Sequence, residues 1–534
     1  PLFIHGAGAS NFAKYSTNLD KVRGSYMHNS ETGAGIIELL SVLPAAGPSI
    51  IPGSIANTWT GAVSSNWFDA ANWANSTVPD ATTDVSIPGS VVNFPELTAS
   101  AAVASLTLEN GAMLKGNAFL TVNGQTEVKV DLGAGEYHYI SSPVANPTAI
   151  SAFPASTYLR SYDEPSGNWV NLTGNDVLAA GKGYSSWIAD AATASFRGTL
   201  NTGAFSPALT NLGNSGNDQY DGYNLIGNPY CSSIDLDHAS LIYSNIMPTA
   251  YLWDGDANQY ACYNWNTQTG VNGGGRYIPA GQGFFVKSAG AGVQPGFTFT
   301  EESRSFGVQE FYKSGISNLI RLQVSGEQMK NEAVVMFNEQ ATTALETDFD
   351  AFALKASAIN FIYTRSSESY DLAINALSSP EVSNVVPVYL DVVKSGNYTI
   401  TASGLDNFTY SLPVWFTDLK TGSSQNLLEN PVYSFSASTG DNAARFMLSF
   451  GTVGIEDPAT AGTVVYAENS NIHVITPELF NGSVKVYDML GKLLAERRIS
   501  GAGETIISLK QGGAACLVTL ISNQSTVTRK VVLN

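Results

Sequence analysis

The sequence predicts an all-β protein made of several consecutive β-sandwich or solenoid-like modules. Its 534 residues are more than one hydrophobic core normally serves, so several domains are expected. Only 13% of the residues are charged while 44% are hydrophobic, which is too apolar for a disordered chain. Short stretches of alternating apolar and polar residues recur between turn-forming residues, as in proteins with many short strands.

The net charge and the hydropathy pattern narrow the range of partners. The formal net charge of −19 argues against a nucleic-acid partner held by bulk attraction. The same charge is compatible with bridging by divalent cations or with a surface that serves only solubility. No run of about eighteen apolar residues occurs, so no membrane-spanning helix is predicted. The chain opens without a basic leader, and we therefore expect a processed product or a fragment.

Residues 1–56 form the least regular segment and are predicted to be an irregular N-terminal arm. Apolar residues have helical spacing around 12–22 and 36–42, between glycine-rich and proline-rich stretches. The apolar stretch 44–55 would be costly to expose on a free arm. We expect it to pack either on the body of its own chain or on a neighbouring subunit.

Residues 57–130 are predicted to form a tryptophan-rich β module. Its W-x-G, N-W and D-V-x-I-P elements resemble a module frequent in Bacteroidetes surface proteins. Period-two apolar residues with glycine corners predict a few rungs of a β-solenoid or a small sandwich. Trp59, Trp67 and Trp73 could stack on sugar rings as an exposed carbohydrate-binding platform, or they could cap a β core.

An internal duplication spans residues 131–218, copy 1, and residues 219–300, copy 2. Three landmarks recur, with residues 137–143 matching 223–229, residues 157–160 matching 250–253, and residues 180–184 matching 280–284. Each copy offers several alternating strands with polar turns. The sequence therefore predicts two related β-sandwich lobes.

Two further modules complete the chain. Residues 301–455 contain repeated alternating strands and are predicted to form another β-sandwich. A proline-containing stretch at 454–458 is a plausible linker, because proline cannot continue a strand. Residues 456–534 then contain short alternating strands separated by turns, which indicates a small antiparallel sandwich.

The last module carries a recognisable motif. Its strand and turn contain Val484, Val486, Asp488, Gly491 and Lys492, and the basic residue Lys530 precedes the apolar end. This pattern resembles the C-terminal sorting domain of type IX secretion cargo in Bacteroidetes. The departures are Ala514 and Cys516, where the family has glycine and tyrosine. The resemblance implies an immunoglobulin-like fold, a sorting signal that includes Val486, Asp488, Gly491, Lys492 and Lys530, and the type IX machinery and its outer-membrane shuttle as partners.

The sequence shows no catalytic constellation. The five histidines fall in different modules without metal-like spacing. No nucleophile elbow or phosphate-binding loop occurs. The sequence leaves open that two acidic residues from distant loops form a catalytic pair for glycoside hydrolysis. Enzymatic activity is therefore undecided, with the weight against it, and no cofactor is implied apart from calcium.

Calcium and a disulfide are the two chemical features that local spacing suggests. Asp254, Asp256 and Asn258 have the D-x-D-x-N spacing of calcium ligands, or they form a turn with solvated carboxylates. Cys231 and Cys262 lie in one module and could form a disulfide in an oxidising compartment. Cys516 lies on an alternating strand and is predicted to be a buried small hydrophobic residue.

These observations favour an extracellular or cell-surface structural protein of a Gram-negative Bacteroidetes bacterium, exported by the type IX system. Its role would be that of an adhesin, a matrix protein or a self-assembling fibre component. Copies of itself, bound through the N-terminal arm, and surface glycans are the expected partners. The alternative is a secreted polysaccharide-binding or polysaccharide-degrading protein, and a display scaffold for an upstream catalytic domain is a third option.

Overall fold

The computed structural model divides the chain into two compact units, residues 1–52 and 53–534. It describes residues 27–28, 36–37, 54–212, 217–290, 292–308, 316–327, 329–380, 385–451, 463–468, 471–476, 480–501, 503–509, 515–522 and 526–533. These residues are almost entirely in strands and turns, so the all-β prediction is confirmed. No helix among them is long and apolar enough to cross a membrane.

The first unit is described only at one short strand pair. Strand β1 (Met27–His28) pairs antiparallel with β2 (Ile36–Ile37). The helix predicted from the apolar spacing at 36–42 is therefore wrong for Ile36 and Ile37, which form a strand instead. The other helical patch and nearly all of the apolar stretch 44–55 lie outside the described residues.

The tryptophan-rich module is a short parallel β-solenoid. One ladder of parallel strands consists of β3 (Ile55–Thr58), β4 (Thr83–Ile87), β6 (Ser105–Leu108) and β8 (Thr126–Leu132). A second parallel pair joins β5 (Ala101–Val103) to β7 (Leu120–Val122). Short 3-10 helices cover Ala70–Asn72 and Asn117–Phe119. The ladder ends where β13 (Ala192–Arg197) pairs antiparallel with β8, so this strand of copy 1 completes the solenoid sheet.

Copy 1 and copy 2 each form a sheet with the same strand order. In copy 1 the order is β9 (Tyr137–Ile140), β12 (Tyr184–Trp187), β10 (Tyr158–Asp163) and β11 (Asn168–Asn171). In copy 2 it is β14 (Tyr223–Gly227), β21 (Gly283–Ser288), β17 (Ile246–Asp254), β18 (Gln259–Asn264) and β19 (Thr269–Val271). The repeat seen in the sequence therefore corresponds to two sheets whose first four strands follow the same order, and copy 2 adds β19 at one edge.

Smaller elements surround these two sheets. Copy 1 adds the helix α1 (Ala149–Ala152) and a 3-10 helix at Glu164–Ser166. Copy 2 is accompanied by β15 (Ser233–Asp235), β16 (Ile242–Ser244), β20 (Tyr277–Ile278), β22 (Gly296–Thr298), a 3-10 helix at Glu301–Ser303, and β23 (Arg304–Ser305). One face of the copy 1 sheet packs on the solenoid, and one face of the copy 2 sheet packs on these small elements.

Reciprocal contacts join the two sheets. The Gly227 N–H donates to the Gly181 carbonyl, and the equivalent Ser141 N–H donates to the Gly281 carbonyl. Both acceptor glycines are in the left-handed region, with φ of +79° and +71°. The repeated A-G-x-G landmark therefore forms the junction between the copies, because glycine adopts this conformation without strain.

Strand register corrects part of the sequence match between the copies. Arg160 lies opposite Ser185, and Tyr251 lies opposite Phe285, the counterpart of Ser185 in the repeated landmark. The structural equivalent of Arg160 is therefore Tyr251 rather than Trp253. The sequence match of 157–160 with 250–253 is therefore wrong by two positions, and the pairing of β17 with β21 also changes register between Met247 and Tyr251.

The next module is a curled β-sandwich. Its strands are β24 (Leu319–Gly326), β25 (Met329–Phe337), β26 (Ala351–Phe352), β27 (Phe361–Arg365), β28 (Asp371–Leu377), β29 (Val385–Asp391), β30 (Gly396–Ser403), β31 (Val414–Asp418), β32 (Ser423–Asn426), β33 (Val432–Ala437) and β34 (Phe446–Phe450). A 3-10 helix covers Leu405–Asn407. The path runs from β32 at one end to β33 at the other. The Gln425 side chain donates to the Val432 carbonyl and links these two edges.

The C-terminal module is a small antiparallel sandwich, as its strand pattern predicts. One sheet contains β35 (Val464–Glu468), β36 (Asn471–Thr476) and β39 (Gly503–Ser508). The other contains β37 (Asn481–Asp488), β38 (Leu493–Ser500), β40 (Ala515–Ser522) and β41 (Thr526–Val532). Cys516 is fully buried in the shared core, which confirms its predicted role, whereas Ala514 lies outside the described residues.

Candidate functional site

The three tryptophans of the solenoid module are core residues. Trp59 and Trp67 are 0% exposed and Trp73 is 2% exposed. The Trp73 ring packs edge-on against both others, at centroid distances of 5.0 and 4.8 Å. The indole N–H of Trp73 donates to the Trp67 carbonyl at 2.8 Å. The predicted sugar-binding platform at these residues is wrong, because no sugar can reach rings that fill the core.

The two cysteines predicted as a disulfide are free thiols. Cys231 is buried in the core shared by the solenoid and copy 1, where its Sγ lies 3.5 Å from the Leu114 carbonyl oxygen. Cys262 is buried in a different core cluster, and burial raises the pKa of its thiol to about 12. Both thiols are therefore neutral packing groups, and the disulfide prediction is corrected.

The predicted calcium residues form the turn of the β17–β18 hairpin. The Asp254 carboxylate accepts the Ala257 N–H at 3.0 Å, and Asn258 is in the left-handed region with φ of +51°. The side chains of Asp256 and Asn258 are exposed. No group of three or more His, Cys, Asp or Glu in the described part of the chain is placed to hold a metal. Asp254 therefore has a clear role in the turn, and calcium binding stays a prediction.

Asp488, Gly491 and Lys492 of the predicted sorting signal form the turn between β37 and β38, whereas Val486 lies in β37 and Lys530 in β41. Val484 and Val486 are 0% exposed and belong to the core. The Asp488 carboxylate accepts the N–H groups of Leu490 and Lys492, each at 2.9 Å. Gly491 has φ of +84°, which a side chain would strain. These contacts give the D-x-x-G-K spacing a structural reason, and Leu490 projects from the turn with 95% exposure.

Sequence reasoning missed an aromatic face on the copy 1 sheet. Directly opposed residues of antiparallel strands share one face of the sheet. The first row of this face contains Tyr137, Trp187 and Tyr158, the middle row contains Tyr139, Ser185, Arg160 and Asn171, and the third row contains Tyr162 and Trp169. Tyr158 is 67% exposed and Tyr137 is 41% exposed. We call this set the aromatic face.

The third row of the aromatic face opens into a cleft of about 440 Å³. Its lining includes Tyr162, Trp169, Tyr220, Tyr260, Asp221 and Lys355, from both copies and from the sandwich that follows. Burial raises the pKa of Tyr162, and the nearby carboxylates of Glu164 and Asp221 raise it further. The Lys355 ammonium pairs with Asp371 at 2.7 Å and Asp391 at 2.8 Å, so its charge is compensated. The cleft thus combines aromatic walls with a few polar groups, the usual composition of a ligand site.

The alternation of apolar and polar residues along single strands could not reveal this site. Tyr137 and Tyr158 belong to the repeated landmarks and were interpreted only as markers of the duplication. The pairing of β9, β12 and β10 is what places residues from three distant segments in one row. Aromatic residues at period two in strands of one repeat would have been the available signal.

Most of the chain matches a known family. The family described as a domain of unknown function (DUF8693) matches residues 58–135 and 131–450. The chain belongs to this family. The match therefore includes the solenoid, both copies and the sandwich, and it ends before the C-terminal module.

A curated relative gives a further comparison. The minor fimbrium subunit Mfa5 of Porphyromonas gingivalis is 24% identical over 375 residues. The aligned region covers 64% of this chain and 29% of the relative. The chain thus spans less than a third of the length of the relative that it matches.

Proposed function

We propose that this protein is a structural subunit of a cell-surface fibre. The observation that carries this proposal is the similarity to a minor fimbrium subunit across 64% of the chain. The architecture supports it, since consecutive β modules are joined by buried contacts. Arg304 is an example: its side chain is 1% exposed and donates to Ser232 Oγ at 2.9 Å and to the Leu114 carbonyl, linking copy 2 with the solenoid. Such rigid junctions suit a protein that transmits force.

Self-assembly through the N-terminal arm is the first specific part of the proposal. The arm forms a compact unit of its own, residues 1–52, and carries a long apolar stretch. A fibre subunit needs a surface that adds to the next copy, and an extended segment that joins a neighbour's sheet is one known means. The arm would supply this segment.

Truncation at residue 52 tests the arm. This cut leaves strand β3 and its pairing with β4 intact, which a cut at residue 56 would not. We expect the full chain to form multimers on a sizing column with light scattering, and the truncated chain to elute as a monomer. Ile50→Asp combined with Ile51→Asp should have the same effect. The control is Ile150→Asp, because Ile150 is already 66% exposed in the second unit. Multimers that persist without the arm would contradict this part of the proposal.

Export by the type IX system is the second specific part. It rests on the resemblance of the C-terminal module, whose motif residues form the ordered turn described above. We expect Gly491→Val to reduce the amount of protein at the cell surface, because a β-branched residue is strained at φ of +84°. Lys492→Glu should also reduce export without straining the turn.

Gly440 offers a matched control for the export test. It has φ of +91° with no atom within 4 Å of an added Cβ, as is also true of Gly491, but it lies in the preceding sandwich. Surface protein would be quantified in a Bacteroidetes host and in a secretion-deficient strain of that host. Equal surface levels for Gly440→Val, Gly491→Val and Lys492→Glu would contradict a sorting role for this turn.

A further inference from the structure

We propose that the aromatic face of copy 1 binds a glycan. Pyranose rings would stack on the first row, at the exposed Tyr158 and the half-buried Trp187, and on Trp169, which lines the cleft. Arg160, in the row between them, would donate its N–H groups to hydroxyl or carboxylate oxygens of the sugar. This site is independent of the fibre assembly proposed above.

The geometry of the face suits an extended chain of sugar rings. Residues two apart along a strand are ~6.7 Å apart, so the first and third rows are separated by ~13 Å. The ring centroids of Tyr158 and Trp187 are 5.6 Å apart and the ring planes are tilted by 57°, so the first row offers two adjacent aromatic contacts. A short oligosaccharide laid across the rows would reach from these two rings to the cleft.

Arg160 is placed to bind a polar ligand. Its guanidinium carbon lies 5.0 Å from the Tyr137 ring centroid and 5.7 Å from the Trp169 ring centroid. Among the described residues it forms no ion pair, whereas the cleft's Lys355 has two carboxylate partners. A guanidinium held over two rings, with its N–H groups left for other acceptors, is preorganised for hydrogen bonding.

The duplication provides an internal comparison. The equivalent face of copy 2 is covered by the following sandwich, where the Phe352 N–H donates to the Tyr251 hydroxyl oxygen at 2.9 Å. There the three positions equivalent to Ser185, Arg160 and Asn171 are Phe285, Tyr251 and Cys262. All three copy 2 residues are at most 4% exposed.

This contrast identifies the kind of occupant. Where a protein module covers the face, the middle row is apolar, as burial against protein requires. In copy 1 the same row carries a serine, an arginine and an amide between aromatic rings: Ser185 is buried, Arg160 is half-buried and Asn171 is exposed. A second protein module docked there would have to supply a counter-charge, because burying the Arg160 guanidinium unpaired is costly. A ligand with apolar ring faces and hydroxyl edges satisfies both the aromatic rows and the polar row, and a pyranose glycan has this chemistry.

Glycan binding can be tested with the full chain on a printed array of neutral, uronic-acid and sialic-acid oligosaccharides. The strongest binder would then be titrated by calorimetry. We expect Tyr158→Ala and Arg160→Ala each to weaken binding by about tenfold or more, since each removes a stacking ring or a charged donor. Tyr158→Phe keeps the ring and should retain affinity. A preference for acidic sugars that disappears in Arg160→Ala would identify a carboxylate as the group that Arg160 binds.

The control is Tyr243→Ala, which makes the same change at a 37% exposed tyrosine away from the aromatic face. Its affinity should equal that of the unmodified chain. Two results would overturn the proposal: no oligosaccharide retained on the array, or equal affinity for the unmodified chain and Tyr158→Ala. A dimer in solution that Tyr158→Ala dissolves would also overturn it, because a second copy would then cover the face. None of these results depends on whether the N-terminal arm drives assembly.

Discussion

Replacing Gly183 by alanine tests the junction between the two copies. A Cβ at this position would lie 2.5 Å from the Ile226 carbonyl oxygen and 2.7 Å from Cγ of Leu225. One strand end must move to make room, and the hydrogen bond from the Gly183 N–H to the Leu225 carbonyl, now 3.0 Å, would be strained. Overpacking of this kind costs about 1–3 kcal/mol, so we expect the free energy of opening the junction to fall by about 2 kcal/mol.

Hydrogen exchange followed by mass spectrometry measures this opening directly. A loss of about 2 kcal/mol corresponds to ~30-fold faster exchange in peptides that cover β12 and β14. Gly283→Ala at the reciprocal contact should have a smaller effect, because its Cβ would lie 3.1 Å from the Ile140 carbonyl oxygen. Gly290→Ala is the control, since no atom lies within 4 Å of a Cβ there.

The reasoning would be refuted if Gly183→Ala exchanged at the rate of the unmodified chain in these peptides. It would also be refuted if Gly290→Ala accelerated exchange by the same factor. In the first case the strand ends adapt without cost, and in the second the effect is not specific to the junction. An effect of Gly283→Ala larger than that of Gly183→Ala would contradict the distances.

Three further predictions follow from burial. Burial raises the pKa of Asp350 from 3.8 to about 8, so the folded state holds a proton that the unfolded chain releases, and stability falls as the pH rises between these values. In urea titrations between about pH 5 and 7, the unfolding free energy of the unmodified chain should drop by up to about 1.4 kcal/mol per pH unit relative to that of Asp350→Asn. Parallel pH curves for the two proteins would contradict this prediction. Trp73→Ala should lower the unfolding free energy by about 3–5 kcal/mol in the same titration, because Trp73 fills the core. Trp187→Ala should lower it clearly less, and equal losses of unfolding free energy for the two variants would contradict this prediction. Cys231 and Cys262 should react with a thiol reagent only after unfolding in guanidinium without reductant. A mass lower by two hydrogen atoms, with no reaction at these residues, would reveal a disulfide instead.

Much of the fold could be predicted from local pattern. The alternation of apolar residues identified the strands of the C-terminal module, and the D-x-x-G-K spacing identified its turn, because Asp488 and Gly491 act within a few residues of each other. The duplication was visible because the A-G-x-G landmark must keep its glycines at the junction. The match of 157–160 was wrong by two positions, because the register of β17 is set by its pairing with β21 and is not visible in the local sequence.

The candidate sites were less predictable. The tryptophans of the solenoid and the pair Cys231 and Cys262 were recognised as notable residues. Sugar binding would have required the tryptophans to be exposed, and a disulfide would have required the two cysteines to lie close together. Both properties depend on which modules pack together. The aromatic face was missed for the same reason, since three separate strands contribute its first row.

The sequence by itself determined the all-β class, the repeat and the local turns, because alternation, glycine conformation and side-chain capping act over a few residues. Only the tertiary structure decided which face of each repeated sheet is covered. Copy 2 packs one face on the next sandwich and carries Phe285, Tyr251 and Cys262 there. Copy 1 leaves the equivalent face partly open and carries Ser185, Arg160 and Asn171. The physical reason is that the burial of a sheet face depends on the module that packs against it, and the residues of a strand do not by themselves determine which module that will be.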